Sequence, residues 1–215
     1  MVDLKNRRPL GSRDTKWATR CAGALADKGV TPNAISQASM GAALVAGLAF
    51  AASGYVESIV GSGMLLILGA FFCQIRLLCN LFDGMVAVEA GQSAPDGPLW
   101  NEFPDRVSDL LIFAGAGLGT GHLALGLAAG AMAVLTAYTR ELGAGLGLPP
   151  DFSGPMAKPQ RMAIVTGAAV LAVFEPFLAT SGIVLTATLW IVAIGAAFTT
   201  LRRSALIRAR LLERD

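Results

Sequence analysis

Residues 59–80 read IVGSGMLLILGAFFCQIRLLCN, a run whose single formal charge is Arg76. About 20 predominantly apolar residues suffice for a helix to cross the hydrocarbon core of a bilayer. This run therefore reads as a transmembrane helix, and its pattern continues past the lipid to about residue 91. Working outward, comparable runs lie at 34–53, 99–118, 122–143, 161–180 and 183–201. The expected fold is an all-α membrane protein with six transmembrane helices. Composition agrees: 54% of the 215 residues are hydrophobic and 15% are charged, where a soluble domain carries roughly 25% charged residues. The mean hydropathy is +0.59. Glycine (25 residues) and alanine crowd the apolar runs, as in helices that pack closely within lipid. Cys21, Cys73 and Cys79 have neither metal spacing nor the even number of a disulfide framework, and read as apolar packing residues.

Ahead of the first span, Trp17, Ala18, Cys21, Ala22, Leu25 and Ala26 recur at helical spacing among basic residues. Residues 13–27 are expected to form an amphipathic helix on the membrane surface. Thr31-Pro32-Asn33 breaks it and opens the first span, proline being tolerated in a first helical turn. The organisation expected is an N-terminal segment over 1–33, with no early apolar run of a signal peptide, a six-helix domain over 34–203, and a basic tail over 204–215.

The connections near 54–58, 119–121 and 181–182 hold no lysine or arginine. All seventeen basic residues fall in or near the opposite set: the two termini and the connections 81–98 and 144–160. The positive-inside rule then puts both termini in the cytoplasm of a multi-pass cell-membrane protein. Arg202, Arg203, Arg208, Arg210 and Arg214 read as a helix end anchored on anionic headgroups.

On that side, spans two and three carry a polar cluster, Asn80-Leu81-Phe82-Asp83-Gly84-Met85-Val86-Ala87 and Gly97-Pro98-Leu99-Trp100-Asn101-Glu102-Phe103-Pro104-Asp105-Arg106-Val107-Ser108-Asp109. Wound as a helix, Asn101, Asp105, Asp109 and Glu102 share an arc of about 100°. Arg76, Asn80 and Asp83 share about 60° of the facing helix, with Gly84, Ala87 and Gly91 beside them. Ionisable groups at a membrane helix end are expensive unless paired or functional. Oxygen donors on two facing helices suit a hard divalent cation. The same residues suit a structural ion-pair network, and spacing does not choose between the two.

These residues resemble the CDP-alcohol phosphotransferases, whose signature is D-x2-D-G-x2-A-R-x8-G-x3-D-x3-D. Asp83, Gly84, Ala87, Gly97 and Asp105 match it with the spacing unbroken. Thr31-Pro32-Asn33 is similar to the family's lead-in, and Gly154-Pro155-Met156-Ala157-Lys158-Pro159-Gln160-Arg161 to its basic acceptor-side loop. The resemblance covers about residues 8–203. Three positions depart from it: Asn80 and Asn101 stand where the signature has its first and third aspartates, and Val88 where it has arginine.

The resemblance implies transfer of a phosphatidyl group from a CDP-linked lipid, such as CDP-diacylglycerol, to an alcohol or alcohol-phosphate acceptor, with release of CMP. It implies one or two Mg²⁺ or Mn²⁺ ions on the diphosphate, held by Asn80, Asp83, Asn101 and Asp105. Glu102 and Asp109 are expected to make up for the two carboxylates replaced by asparagine, which gives an oxygen without a charge. Asp105 is the implied base for the acceptor hydroxyl. Gly84, Ala87 and Gly97 would admit the nucleotide. Arg140, Lys158 and Arg161, with Arg106, would bind a phosphate on the acceptor, though each also suits a headgroup anchor. The implied assembly is a homodimer, with no nucleic acid partner. An inactive relative that binds CDP-lipid as a regulator or partner subunit is the alternative. A transporter would carry its polar groups near the midplane rather than at one surface.

His122 reads as a boundary residue, and Tyr55, Trp100, Tyr138 and Trp190 as interfacial aromatics. Pro176 is expected to kink or end the fifth span, and the sequence suggests no role for Glu175.

Overall fold

The structure, a computed structural model, describes residues 15–89 and 95–213. Lys5, Arg7, Arg8, Arg13, Gly91 and Arg214 lie outside the described residues. Seven α-helices are formed among the described residues: α1 (Lys16–Asp27), α2 (Pro32–Ser53), α3 (Ile59–Glu89), α4 (Gly97–Gly119), α5 (Leu123–Gly145), α6 (Lys158–Ala172) and α7 (Ile183–Leu212). Four of them, α2, α3, α5 and α7, are long and apolar enough to cross a membrane.

The remaining two expected spans differ for identifiable reasons. Helix α4 has the length, but Glu102, Asp105, Arg106 and Asp109 interrupt its apolar character. Helix α6 stops at Ala172, and a 3₁₀ turn, Glu175–Leu178, takes the place of the expected helix to residue 180. Pro176 has no N–H to continue the ladder. Glu175, for which the sequence suggested no role, is buried beneath the turn. Its carboxylate accepts the N–H groups of Gly182 (2.9 Å) and Val184 (2.7 Å). These open the first turn of α7, so Glu175 satisfies donors that a helix start leaves orphaned.

The lead-in to α2 forms as its residues suggest. Thr31 Oγ1 accepts the N–H of Ala34 at 3.2 Å, and Pro32 occupies the first helical position. Helix α2 lies between α3 and α4, α5 joins α4 to α7, and α6 packs on α3 and α7. Backbones touch where glycines line the crossings. A Cβ on Gly117 of α4 would stand 2.8 Å from Gly126 Cα of α5. One on Gly115 would drive into the backbone of Gly47 on α2, and Gly119 meets the carbonyl of Phe50 in the same way. The Phe50 ring, wholly buried, lies in the space that a side chain at position 69 would fill.

The main core joins Ala46, Phe50, Cys73, Ile112, Phe113, Met162, Val165, Leu189 and Val192 from five helices. A smaller cluster seats α1 on the far end of α3, with Ala18 and Ala22 against Leu81, Met85 and Val86. Trp17 meets the Phe82 ring edge to face at 6.0 Å between centroids. Outward, Leu48, Val60, Phe71, Leu171, Ile194 and Leu201 stand exposed along the helices, an apolar surface of the kind that lipid covers.

Candidate active site

Three acidic side chains of α3 and α4 are buried at the charged end of the bundle: Asp83, Asp105 and Asp109. Burial of unpaired carboxylates is prohibitive, so each has found donors. Asp105 Oδ1 accepts from Arg76 Nη2 at 3.0 Å and from Asn80 Nδ2 at 2.8 Å. Its Oδ2 is paired with the ammonium of Lys158. Asp109 lies 3.5 Å from the same Arg76 nitrogen, and its Oδ2 accepts from Arg161 Nη2 at 2.5 Å. Asp83 accepts the Ser36 hydroxyl at 2.7 Å and the N–H of Gly84 at 2.5 Å.

Arg161 is fixed from three directions. Besides Asp109, its Nη1 donates to Thr136 Oγ1 (3.1 Å) and to the Met156 carbonyl (2.9 Å). Arg203 of α7 donates to the carbonyls of Thr136 (2.5 Å) and Ser153 (3.0 Å), binding the loop before α6 to the bundle. Thr199 strengthens that attachment, its Oγ1 accepting the N–H of Met156 at 3.2 Å.

A cavity of about 600 Å³ opens beside this network. Its walls come from α3 (Leu77, Asn80, Leu81, Gly84), α4 (Asn101, Glu102, Asp105, Arg106), α5 (Thr136, Arg140), the loop (Pro150, Phe152) and α6 (Lys158, Arg161), with Trp17 and Arg203 at its edges. Arg106, Arg140, Lys158, Arg161 and Arg203 face it, against the carboxylates Glu102, Asp105 and Glu141. The surplus of cations favours an anionic ligand. The size is that of a small-molecule site. At the mouth, Glu102 pairs with both Arg106 and Arg140. The Arg140 guanidinium also stacks 5.4 Å above the Phe152 ring.

Of the residues singled out from the sequence, Asn80, Gly84, Asn101, Glu102, Asp105, Arg140, Lys158 and Arg161 border the one cavity. Asp83, Ala87, Gly97 and Asp109 do not border it. Asn101 is exposed and donates to Glu102 at 3.2 Å. Among the described residues no three Asp, Glu, His or Cys side chains converge as a metal cage. The Asn80 amide N–H reaches Asp105 directly, while Asp83 lies within electrostatic reach of Asp105 and Lys158.

Sequence reasoning passed over Ser36, Thr136 and the separate role of Arg203. Thr136 lies one turn before Arg140 on the same face of α5, a signal that helical winding offers. Ser36 is an isolated hydroxyl in an apolar span, and Arg203 is one of several arginines at a helix end. Neither carried a mark of its own.

No protein-family model matches the chain. It is similar to a phosphatidylinositol phosphate synthase of Streptomyces avermitilis, 30% identical over 156 residues. That alignment takes in 68% of this chain and 64% of the relative, so the chain spans just under two thirds of the relative's length. The fold is shared with Mycobacterium tuberculosis phosphatidylinositol phosphate synthase solved with CDP-DAG bound (TM-score 0.74, 22% identity, 90% of this chain and 94% of that one). A second structure of that enzyme, in complex with manganese and citrate, matches with a TM-score of 0.73 at 22% identity over 88% of each chain.

Proposed function

We propose that this chain, as a homologue of phosphatidylinositol phosphate synthase, is a membrane phosphotransferase. It moves a phosphatidyl group from a CDP-linked lipid such as CDP-diacylglycerol to an alcohol, and CMP leaves. One observation carries the reading: Asp105, the last carboxylate of the signature, borders a cation-lined cavity of about 600 Å³.

In this reading the acceptor hydroxyl oxygen attacks the β-phosphorus as its proton passes to Asp105. The bond from that phosphorus to the bridging oxygen of CMP breaks. Phosphoryl transfer needs positioning and charge neutralisation more than covalent help. Arg140 and Arg161 supply both to a phosphate on the acceptor, with Lys158 serving the phosphate that lies beside Asp105, and this favours inositol phosphate or glycerol phosphate over a neutral alcohol. Gly84, on the cavity wall, leaves room for the nucleotide, with Ala87 and Gly97 near its path.

A divalent ion fits the donor set, though not as a preformed cage. Magnesium commonly rests on one or two carboxylates and takes its other oxygens from substrate phosphates and water. Asp83, Asp105 and the carbonyl oxygen of Asn80 would hold one Mg²⁺ or Mn²⁺. Bound there, it would neutralise charge on the diphosphate and on the leaving CMP. Glu102 and Asp109 each face two guanidinium groups and stand outside that set, as does the exposed Asn101.

Helices α4 and α6 cross the bilayer with the other four, giving six spans over 34–203, with the segment 1–33 and the tail 204–215 both cytoplasmic. The gathering of lysine and arginine at one end of the bundle supports this. A homodimer is part of the same reading.

A second reading has an observation of its own. Asn80 and Asn101 stand at two signature positions, and Asp83, Asp105 and Asp109 are each bonded to donors. An inactive relative that binds CDP-lipid as a regulator or partner subunit would look similar. CMP release from CDP-diacylglycerol, by purified protein in lipid with Mg²⁺ or Mn²⁺, separates the two. The acceptor panel is glycerol phosphate, inositol phosphate, inositol, serine and glycerol. Acceptor-dependent CMP supports the phosphotransferase. CDP-diacylglycerol binding without CMP, for every acceptor, supports the inactive relative.

A further inference from the structure

Asp105 is held by three partners that differ in their freedom to leave. Arg76 is wholly buried and also faces Asp109. Asn80 donates from the neighbouring turn of α3 at 2.8 Å. Among the described residues Lys158 alone pairs with Oδ2, and its side chain is 31% exposed, on the cavity wall, against 8% for Asp105. A lysine is a point charge on a flexible four-carbon stem, with none of the fork geometry that would lock an arginine onto a carboxylate. Its backbone is fixed: Lys158 is the first residue of α6 and Pro159 the second. Motion at this position therefore belongs to the side chain.

Asp83, Asp105 and Asp109 face Arg76, Lys158 and Arg161, and Arg106 also acts on Asp105. A divalent cation approaching the cavity therefore meets no surplus of negative charge, and Oδ2 of Asp105 already carries a cation. An anionic diphosphate changes both conditions, because it brings negative charge and gives the Lys158 ammonium a second partner.

We propose that Lys158 is a movable counter-ion: it covers Asp105 Oδ2 while the cavity is empty and transfers to the donor's diphosphate when the nucleotide enters. Its departure opens Oδ2 to a divalent ion or to the acceptor hydroxyl. Cation and nucleotide then bind synergistically, each raising the affinity for the other by the same factor. Asp105 is also kept unavailable until a donor is in place. The identity of the anion rests on the phosphotransferase reading, whereas the competition between ammonium and metal at Oδ2 rests on the ion pair alone.

The test is Mn²⁺ binding to the full-length protein in nanodiscs, read from the electron paramagnetic resonance of free Mn²⁺, with and without CDP. For wild type, Mn²⁺ affinity is low alone and rises about tenfold with CDP, the scale expected when one neighbouring charge is moved away. Lys158→Met binds Mn²⁺ alone about tenfold more tightly than wild type, and CDP adds little further. Lys158→Arg, which keeps the charge in a bidentate fork, stays at or below wild-type affinity. Lys158→Met that melts with wild type yet binds Mn²⁺ no more tightly overturns the proposal, as does an absence of Mn²⁺ binding by both. Lys158→Gln carries the same comparison should Lys158→Met fail to fold. Tighter Mn²⁺ binding by Lys158→Met with no effect of CDP on wild type upholds the competition at Oδ2. That result would count against the nucleotide, and so against the phosphotransferase reading.

Discussion

Arg76 and Asp109 are both wholly buried and stand 3.5 Å apart between α3 and α4, and the same Arg76 nitrogen reaches Asp105 at 3.0 Å. One guanidinium thus holds two carboxylates one helical turn apart. Removing it leaves two buried acids short of their shared cation. Arg76→Met is expected to destabilise the fold by about 3–5 kcal/mol, the usual result of breaking one side of a buried ion pair. Denaturant unfolding in detergent measures this. Combined with Asp109→Asn, the loss should fall short of the sum of the single losses, because contacting residues couple by roughly 0.5–3 kcal/mol.

The α2–α4 crossing predicts a contrast between two glycines. Gly115 lies against the Gly47 backbone, where a side chain has no space. Gly41 has nothing within 4 Å of an added Cβ. Gly115→Leu should cost about 1–3 kcal/mol or more through overpacking. Gly41→Ala should gain up to about 1 kcal/mol from helix propensity. Thermal unfolding of the two variants under one condition reads both signs.

Glu175 predicts an effect at the end of the bundle opposite the site. Glu175→Ala strips acceptors from the N–H groups of Gly182 and Val184. The expected loss is about 1 kcal/mol, the cost of leaving part-buried donors unmade. Hydrogen exchange should quicken first in the opening turn of α7. Protection there unchanged from wild type would remove the capping role.

Asp96 predicts a pH dependence at the start of α4. Its carboxylate accepts from the Asn33 amide at 3.0 Å and the Trp100 indole at 2.9 Å, which hold it below the usual carboxylate range. A depressed acid contributes while it is charged. The link between the α2 lead-in and α4 is therefore intact above the ordinary carboxylate pKa, and is lost as pH falls through the depressed one. The fluorescence difference between wild type and Trp100→Phe should change across that acidic range and be flat at neutral pH. Asp96→Asn should abolish the change.

The helices were legible because lipid imposes length and apolarity on every span. The cluster at the ends of α3 and α4 was legible because helical winding puts Asn80 near Asp83, and Asn101 near Asp105. What winding cannot give is the third dimension. Lys158 lies 53 residues from Asp105, and nothing local to either marks their pairing. Ser36 on Asp83 and Arg203 on the Thr136 carbonyl are likewise products of helix packing. Pro176 announced a break, but not that Glu175 beside it would turn inward to cap the next helix. Asp109 illustrates the limit most clearly. It falls on the arc of oxygen donors, yet Arg76 and Arg161 close on it, and its neighbourhood is ionic.

Asp105 is expected to take a proton as CMP is released. The most direct test of this is CMP release from CDP-diacylglycerol with inositol phosphate, wild type against Asp105→Asn, both shown to be folded in the same lipid. Wild type should give acceptor-dependent CMP and Asp105→Asn at least a hundredfold less, the lower range for removing a general base, about 10²–10⁴. Turnover by Asp105→Asn equal to wild type would contradict it.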